Sequence, residues 1–290
     1  MIIDPLPAAW HFEAIGTAWR IDTAVPLDDG MRQAVELRIA RFDADWSRFR
    51  DDSLVARIAR EPGHHRLPDD AGPLLAWYRE LYLATEGRVS PLIGRTLEAL
   101  GYDASYRLRP ADDIPAIPSW DDAIAWDGTF LDTVRPVVLD VGAAGKGYLV
   151  DLVSDLLLEG GVAEHIVDAS GDLRTRGVPM RIALENPLDP SKAVGIAELV
   201  DGAFCASAVT RRAWGPGLHH VLDALTGIPV ATVLATWVIA PSALVADGLA
   251  TALFFEPEPE LVARHGAAFA RMFHDGRIEA SDNFLGEMFE

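Results

Sequence analysis

Two oxygen-bearing side chains, Asp247 and Thr251, lie four residues apart in the segment VADGLATALF. On a helix this spacing places both on one face, one turn apart, where their oxygens can reach one divalent cation. From spacing alone, the simpler interpretation is that Asp247 caps or solvates the helix and Thr251 bonds to its own backbone. The helix is otherwise apolar, however, and a carboxylate in such surroundings needs a partner of opposite charge. The pair is therefore a candidate metal site.

A histidine and a carboxylate lie close together in the segment HHVLDALTG, residues 219–227. His220 precedes a short predicted strand and Asp223 follows it, before a turn at Thr226 and Gly227. An imidazole near a carboxylate can act as a general base, but for a lone pair of this kind a structural hydrogen bond is the more common role. Both roles stay open at this point.

The segment LDVGAAGKGYLVD, residues 139–151, places Gly142, Gly145 and Gly147 between an apolar run and a helical pattern. A Walker loop is excluded, because Asp140 stands where that motif requires a glycine and Gly147 where it requires Ser or Thr. A Rossmann turn has little support, because the three glycines run in the reverse spacing. Glycines let the backbone approach a ligand, and a helix N-terminus favours an anion. A tight connection without a ligand would show the same pattern.

The composition is that of a globular protein with a large excess of acid. The 290 residues include 25 basic and 44 acidic side chains, which give a formal charge of −19. This charge argues against binding to nucleic acid or anionic lipid, and it favours a divalent cation wherever a phosphorylated ligand is bound. Cys205 is the only cysteine, so an intramolecular disulfide is excluded and a buried, inert thiol is expected.

Strand and helix patterns alternate irregularly in the first half of the chain. A strand is predicted at residues 13–23, helices at 28–49, 69–87 and 92–102, and a Pro-rich loop at about 104–120 that could separate two subdomains. The apolar run 137–142 is typical of a buried strand. A helix at 146–161 and a strand at 163–171 follow it, which would complete a strand, turn, helix, strand unit.

Short β segments dominate the second half. They are predicted at residues 181–186, 195–207, 219–227 and 231–240, and a helix follows at 242–255. A closing hairpin is expected around Asp275 and Gly276. Strands and helices mixed in this way indicate an α+β fold, with mixed sheets and packed helices. No run of eighteen apolar residues is present, so no membrane span is predicted.

Seven segments of the chain resemble, in sequence order, the signature segments of the ApbE family of FAD:protein FMN transferases, or flavin transferases. Any one of them is a weak signal, but seven in order are a strong one. The resemblance covers nearly the whole chain and implies one domain over residues 1–290, with two subdomains around a flavin-binding cleft. The segments are IGT (15–17), WSRFRDDSLVARI (46–58), TEGRVSPLIG (85–94), LDVGAAGKGYLVD (139–151), ASGDLRTRG (169–177), HHVLDALTG (219–227) and VIAPSALVADGLATALF (238–254).

The resemblance implies a magnesium-dependent reaction, for which manganese would also be suitable. FAD would be the substrate: its pyrophosphate is cleaved, FMN is esterified to a threonine hydroxyl of an acceptor flavoprotein, and AMP is released. By position, Asp247 and Thr251 resemble the metal ligands, together with the backbone carbonyl of Gly145. His220 resembles the base that takes the proton from the threonine.

The resemblance also assigns flavin contacts. Ile15 lies where the family often has a methionine beside the isoalloxazine ring, and Phe49 where it often has an aromatic residue that covers the ring. Ser90 stands where the family often has the aspartate of FDPT. Many relatives are exported lipoproteins, whereas this sequence shows no signal peptide or lipobox cysteine, so a cytoplasmic location is expected. The full set of implied flavin contacts is Ile15, Phe49, Arg88, Val89, Ser90, Asp140 and Lys146.

Two other functions remain open for a chain of this kind. A metal-dependent FAD pyrophosphatase would use water in place of the threonine and release FMN and AMP. A non-catalytic flavin-binding protein would keep the glycine turn without the chemistry, although it would have less use for a metal pair and a base. Whether water is excluded from the site decides between transfer and hydrolysis, and sequence does not report this.

Overall fold

The fold is built on one eight-stranded antiparallel sheet. The structure is a computed structural model that describes residues 6–258 and 260–289. The first five residues, which contribute to the prediction that no signal peptide is present, lie outside this range. Strand order in the central sheet is β1-β2-β6-β7-β10-β13-β14-β15. The strands are β1 (Ala8–Ala14), β2 (Thr17–Thr23), β3 (His64–Arg66), β4 (Ile124–Trp126), β5 (Phe130–Thr133), β6 (His165–Asp168), β7 (Asp172–Arg176), β8 (Met180–Asn186), β9 (Asp189–Leu199), β10 (Gly202–Ala208), β11 (Leu222–Asp223), β12 (Ile228–Pro229), β13 (Val233–Ala240), β14 (Ala268–Phe273), β15 (Ile278–Ala280) and β16 (Gly286–Met288).

Smaller sheets and a set of helices complete the fold. Strands β16, β9 and β8 form one three-stranded sheet, β3, β5 and β4 form another, and β11 pairs with β12. The predicted α+β class, with sheets and packed helices, is confirmed. The helices are α1 (Asp29–Trp46), α2 (Leu54–Arg60), α3 (Ala71–Ala84), α4 (Gly94–Ala99), α5 (Trp120–Ala123), α6 (Gly145–Glu159), α7 (Ala243–Ala252) and α8 (Glu260–Arg264), and a 3-10 turn spans Pro91–Ile93.

The central sheet is buried on both faces. Because side chains alternate along a strand, Cys205 and Val238 point to the face covered by helices, while their neighbours Phe204 and Trp237 point to the opposite face. The first face packs against helices that include α1, α3, α6 and α7. The second face packs against β8 and β9. The sheet is thus fixed from both sides, which holds the loops at its edges in place.

Helix α1 shows why the first long helix forms where its pattern predicts. Asp28 caps it, since the Asp28 side chain accepts a hydrogen bond from the Met31 N–H at 2.7 Å. Its buried stripe recurs at helical spacing and faces the core, and consists of Val35, Ile39, Phe42 and Trp46. The predicted helices at 69–87, 92–102, 146–161 and 242–255 are likewise present as α3, α4, α6 and α7. Helix α2 was not predicted, because seven residues are too few for a periodic pattern.

The predicted single strand at 13–23 is wrong, because the chain turns back within it. Strands β1 and β2 form a hairpin in which Ala14 pairs with Thr17, so Ile15 and Gly16 are the two loop residues. Both have positive φ, 47° for Ile15 and 73° for Gly16. Positive φ at both loop positions is the requirement of a type I′ turn, whose twist matches the flanking strands. An isoleucine there gives no turn signal in the sequence, which is why the hairpin was missed.

The predicted strand at 137–142 is also wrong. Val137, Val138, Leu139 and Val141 are buried as predicted, but the segment pairs with no strand in the described part of the chain. Its backbone instead lies against the turn before α4, where the Asp140 N–H donates to the Pro91 carbonyl at 2.7 Å. A short apolar run is buried in either arrangement, so its hydrophobicity alone could not tell them apart.

The long loop and the closing hairpin are both where the sequence predicts them. Residues 104–119 contain no helix or strand. Strands β14 and β15 pair as a hairpin, with Gly276 at φ 86° in the turn. Across the residues described, none of the helices combines the length and the apolar character needed to cross a bilayer.

Candidate active site

The glycine turn and helix α7 meet at a very close helix contact. The Gly147 N–H in the first turn of α6 donates to the Asp247 carboxylate of α7 at 2.9 Å. A Cβ added at Gly147 would lie 2.1 Å from the Ala243 carbonyl oxygen, so only glycine lets the two helices approach this far. The contact joins the two segments that the sequence marks as cradle and metal site.

Asp247 belongs to a buried cluster of charge. Asp247 is 7% exposed and Asp172, at the start of β7, is 1% exposed. Burial and the negative charge of Asp172 raise the pKa of Asp247 well above its ordinary value, and Lys146 opposes this. The Lys146 ammonium lies 3.1 Å from Asp172 and donates to the Ala169 carbonyl at 2.9 Å. Two buried carboxylates therefore share one lysine, which leaves an excess of negative charge.

Thr251 lies one turn beyond Asp247, as the spacing predicts. Its hydroxyl is 3.4 Å from the Ala143 carbonyl in the glycine turn, a long hydrogen bond. The backbone of Gly145 begins α6 beside it. The oxygens available here are the Asp247 carboxylate, the Thr251 hydroxyl and backbone carbonyls. In residues 6–258 and 260–289, no group of three His, Cys, Asp or Glu side chains is placed to hold a metal.

His220 lies near Arg212, and one of its ring nitrogens has no hydrogen-bond partner among the described residues. Burial, followed by the positive charge of Arg212, lowers the pKa of His220 to about 3. Its ring hydrogen-bonds to the Arg212 backbone, and Asp140 acts on it with a negative charge. Nδ1 is buried and has no hydrogen-bond partner among the described residues. The histidine is therefore neutral at physiological pH, with one nitrogen available to a ligand.

His220 does not use Asp223, its partner in the sequence pattern. The Asp223 carboxylate forms an ion pair with Arg88, and the Ala224 N–H donates to the Arg88 carbonyl at 3.0 Å. These contacts tie the histidine segment to the segment Arg88, Val89, Ser90. The sequence left two roles open for His220, a general base and a structural hydrogen bond to Asp223. The structure does not show the hydrogen bond to Asp223.

Asp140 is held by an arginine that was not among the predicted site residues. Arg48 Nε donates to the Asp140 carboxylate at 2.5 Å, and the Gly142 N–H donates to the same group at 2.8 Å. Burial alone would raise the pKa of Asp140, but the charge and hydrogen bond of Arg48 and the Gly142 N–H lower it below its ordinary value. Asp140 is thus an ionised group that shapes the glycine turn.

Phe49 is surrounded by aromatic and cationic groups. Its ring lies parallel to that of Tyr106 at 5.7 Å and edge-on to that of Tyr102 at 5.5 Å. The Arg48 guanidinium lies 4.2 Å from the Phe49 ring centre, a cation–π contact. Tyr106 is 55% exposed and has a positive φ of 49°. The Phe49 ring is therefore packed against its neighbours, and the exposed ring of this cluster is Tyr106, which the long loop contributes.

The remaining predicted flavin contacts lie on neighbouring segments. Ile15, in the β1–β2 turn, is half-buried. Its hairpin is tied to the lysine site, because the Ala18 carbonyl accepts a hydrogen bond from the Ser170 hydroxyl. The carbonyl of the preceding residue, Ala169, accepts from Lys146. Val89 is buried, and its N–H donates to the Thr85 hydroxyl at 3.0 Å. Ser90 is buried and accepts from the Leu92 N–H at 3.2 Å, so it caps the 3-10 turn.

Three residues at the site were not predicted as site residues. Asp172 stood inside the quoted segment ASGDLRTRG, and Arg48 beside Phe49, but neither has a spacing that signals a site. Arg212 lies on an exposed loop, and its charge acts on Asp140, His220 and Asp247. Only the folded chain shows these long-range pairings. Cys205, predicted to be inert, is a buried thiol that contacts the Ala243 carbonyl at 3.6 Å.

The chain is similar over nearly its whole length to known proteins. The model of the ApbE family matches residues 15–271. A protein of Escherichia coli strain K12 named FAD:protein FMN transferase is 30% identical, over 94% of this chain and 88% of its own length. A protein of the same name from Salmonella typhimurium is 26% identical, over 93% of this chain and 86% of its own length.

Solved structures show the same fold. The ApbE protein of Thermotoga maritima superposes with a TM-score of 0.79 at 23% identity, covering 95% of this chain and 97% of that protein. The flavin transferase ApbE from Vibrio cholerae superposes with a TM-score of 0.78 at 23% identity, covering 96% and 98%. At these identities the likeness concerns the fold alone. The family model and the Escherichia coli relative go further, and the chain belongs to the ApbE family.

Proposed function

We propose that this protein is an FAD:protein FMN transferase that moves FMN from FAD to a threonine hydroxyl of an acceptor flavoprotein and releases AMP. One observation carries the proposal: the carboxylate of Asp247 is bound to the glycine turn of α6 through Gly147. That contact brings a buried anionic ligand set and a helix N-terminus to one place, which suits a pyrophosphate and its cation. The curated relatives that share the name span nearly the whole chain.

The donor set fits magnesium. The pKa of Asp247 is raised by burial and by the negative charge of Asp172, and Lys146 and, more weakly, Arg212 offset this charge in part, so a cation would be stabilised there. Asp247, Thr251 and the Gly145 carbonyl would hold it, and such a set needs substrate phosphates to complete a magnesium shell. Manganese prefers the same oxygen ligands. When bound, the cation would neutralise charge that develops on the pyrophosphate oxygens.

His220 would serve as the base. Its unpartnered Nδ1 can accept the proton of the acceptor threonine as the hydroxyl oxygen bonds to the FMN phosphorus. The bond from that phosphorus to the bridging oxygen breaks, and the oxygen leaves with AMP. A pyrophosphate nearby would raise the pKa of His220 from its low resting value, because a negative charge favours the protonated imidazole.

The flavin would lie between the β1–β2 turn and the aromatic cluster. The stacked rings of Phe49 and the exposed Tyr106 would offer an aromatic surface. Ile15 is held at a positive φ of 47°, which is costly for a β-branched residue and typical of a functional constraint. Asp140 and Lys146 fix the glycine turn at the entry of α6 through Arg48 and Asp172. Arg88, Val89 and Ser90 would form the neighbouring wall. Ser90 keeps the capping role that an aspartate could also fill.

Intact-mass spectrometry of an acceptor tests the proposal. A flavoprotein domain with an exposed threonine is incubated with the protein, FAD and magnesium, while AMP is followed in parallel. We expect the acceptor to gain the mass of an FMN ester, and we expect EDTA to prevent this. AMP formation without acceptor modification, across several acceptor domains, would instead identify a pyrophosphatase. FAD binding with neither product would identify a non-catalytic flavin-binding protein.

A further inference from the structure

A cavity lies next to the chain segments that carry the aromatic cluster of Phe49, Tyr102 and Tyr106, outside the proposed flavin contacts. It has a volume of about 410 Å³ and lies between α2, α4 and the start of the long loop. This volume is in the range of small-molecule pockets. Its wall contains four arginines, namely Arg48, Arg50, Arg60 and Arg95. None of the residues assigned to flavin, metal or base lines it.

Arg48 connects this cavity with the active site. Arg48 is only 7% exposed, and two of its nitrogens are engaged: Nε with Asp140 at 2.5 Å and Nη1 with the Tyr102 carbonyl at 2.7 Å. Its Nη2 is buried and has no hydrogen-bond partner in the described part of the chain. A buried guanidinium nitrogen without an acceptor is costly, so an acceptor from a ligand would stabilise it.

The other arginines differ in how far they are already paired. Arg50 binds Asp43 and Asp52, and Arg60 donates to the Asp51 carbonyl at 3.0 Å. Arg95, exposed on α4, has no hydrogen bond or salt bridge to any described residue, although its positive charge acts on Glu98, where it opposes the rise in pKa that burial causes.

The cavity wall also contains three acidic residues. They are Asp51, Glu98 and Asp103. Burial raises the pKa of Glu98, whereas hydrogen bonds from the Arg107 N–H and from Ser105 lower the pKa of Asp103, which also pairs with the Arg107 side chain at 3.5 Å. Unused donors remain on Arg48 and Arg95, in a protein whose total charge is −19.

We propose that this cavity binds the phosphate group of a small molecule. Guanidinium groups present paired N–H donors that match phosphate oxygens, and two partly free arginines on one wall can bind such a group together. Inorganic phosphate and a nucleoside monophosphate share this chemistry. Because Arg48 also holds Asp140, an occupant would be connected to the glycine turn through the Arg48 side chain.

Isothermal titration calorimetry on the full chain, in a low-salt buffer without phosphate, tests the assignment with two probes, inorganic phosphate and AMP. We expect saturable binding of at least one probe that Arg95→Gln weakens by about tenfold, since one charge-assisted contact is lost. Binding of phosphate alone indicates a free anion as ligand, and tighter binding of AMP indicates a phosphorylated nucleoside. Saturating FAD is added in a parallel titration, so that AMP binding in the cleft is not counted.

Arg181→Gln is the matched control, because it removes the same charge from an exposed arginine of β8 that pairs with Glu198. It should leave phosphate binding within about twofold of the original protein. Absence of saturable binding by both probes, or equal weakening by Arg181→Gln and Arg95→Gln, would overturn the proposal. FAD binding is expected to stay unchanged in Arg95→Gln, so failure here is distinct from failure of the transferase function.

Discussion

At the scale of single residues, the site is defined by buried charge that is incompletely paired. Asp247 and Asp172 share Lys146, and the Nδ1 of His220 has no partner in the described residues. Such groups cost stability unless a ligand or ion completes them. They are therefore the groups at which substitution should separate activity from stability.

Replacing Asp247 with asparagine should abolish metal-dependent turnover while the protein stays folded. The amide oxygen can still accept from the Gly147 N–H, but the negative charge that would hold the cation is lost. We expect AMP release with FAD and magnesium to fall by about 100-fold or more. The thermal midpoint should not fall, because a buried charge beside Asp172 is removed. Full turnover in this variant would contradict the metal assignment.

His220 should make stability depend on pH. Its pKa is lowered to about 3 by burial, whereas the unfolded chain takes up the proton near the ordinary value of 6.5. The contribution of His220 to stability is therefore complete above pH 6.5 and is lost as the pH falls toward 3. In His220→Asn, the loss of unfolding free energy between pH 7.5 and pH 5 should be smaller by about 1–2 kcal/mol. Urea unfolding at both pH values measures this; identical losses would show that the pKa of His220 is not lowered in the folded protein.

At the scale of elements, the contact between α6 and α7 positions the chemistry. The helices touch where Gly147 meets the Ala243 backbone, and the N-terminus of α7 is further fixed by Asp151. The Asp151 carboxylate accepts from the Ala243 and Leu244 N–H groups at 2.9 and 2.8 Å. The N–H groups of Ala243 and Leu244 in the first turn of α7 are thus hydrogen-bonded to α6, and this contact positions Asp247.

Gly147→Ala should destabilise the protein by about 3 kcal/mol, because the new methyl group has no room beside a rigid backbone carbonyl. Gly72→Ala in α3 is the matched control: a Cβ there meets no atom within 4 Å, so we expect unchanged or slightly greater stability. Denaturant midpoints of the two variants provide the comparison. Similar midpoints for both would show that α6 and α7 can move apart without cost.

At the scale of the whole molecule, one apolar core joins the chain before and after the long loop. Leu74 and Tyr78 of α3 belong to the same buried cluster as Leu149 of α6 and Leu249 of α7. A subdomain boundary in the loop near 104–120 would thus divide the chain into two segments that share one hydrophobic core.

Limited proteolysis tests that boundary. Trypsin should cleave first after Arg107, which is exposed on a loop without helix or strand; Arg109 precedes Pro110, and trypsin does not cut that bond. The two fragments should co-elute on size exclusion under native conditions, because the shared core holds them together. First cleavage elsewhere would place the boundary at another segment, and separation of the fragments would show two independent units.

The fold class, most helices, the closing hairpin and the family can be predicted from the sequence. These follow from local periodicity, capping residues such as Asp28, and motifs that occupy fixed positions along the chain. The sequence also put Asp247 and Thr251 one turn apart, and α7 places them so. Its errors were local as well: the Ile15–Gly16 turn has no glycine at its first position, and residues 137–142 are buried without strand pairing.

The contacts between groups that are far apart in the chain follow from the tertiary packing and not from any local sequence pattern. The pairs Asp140 with Arg48 and Asp172 with Lys146, and the contact of Gly147 with Asp247, join residues 26 to 100 positions apart, at distances that no periodic pattern encodes. The same is true of His220, whose free nitrogen and low pKa result from burial and from the Arg212 loop. Charge interactions depend on spatial separation and burial, and both are set by how the helices pack on the sheet.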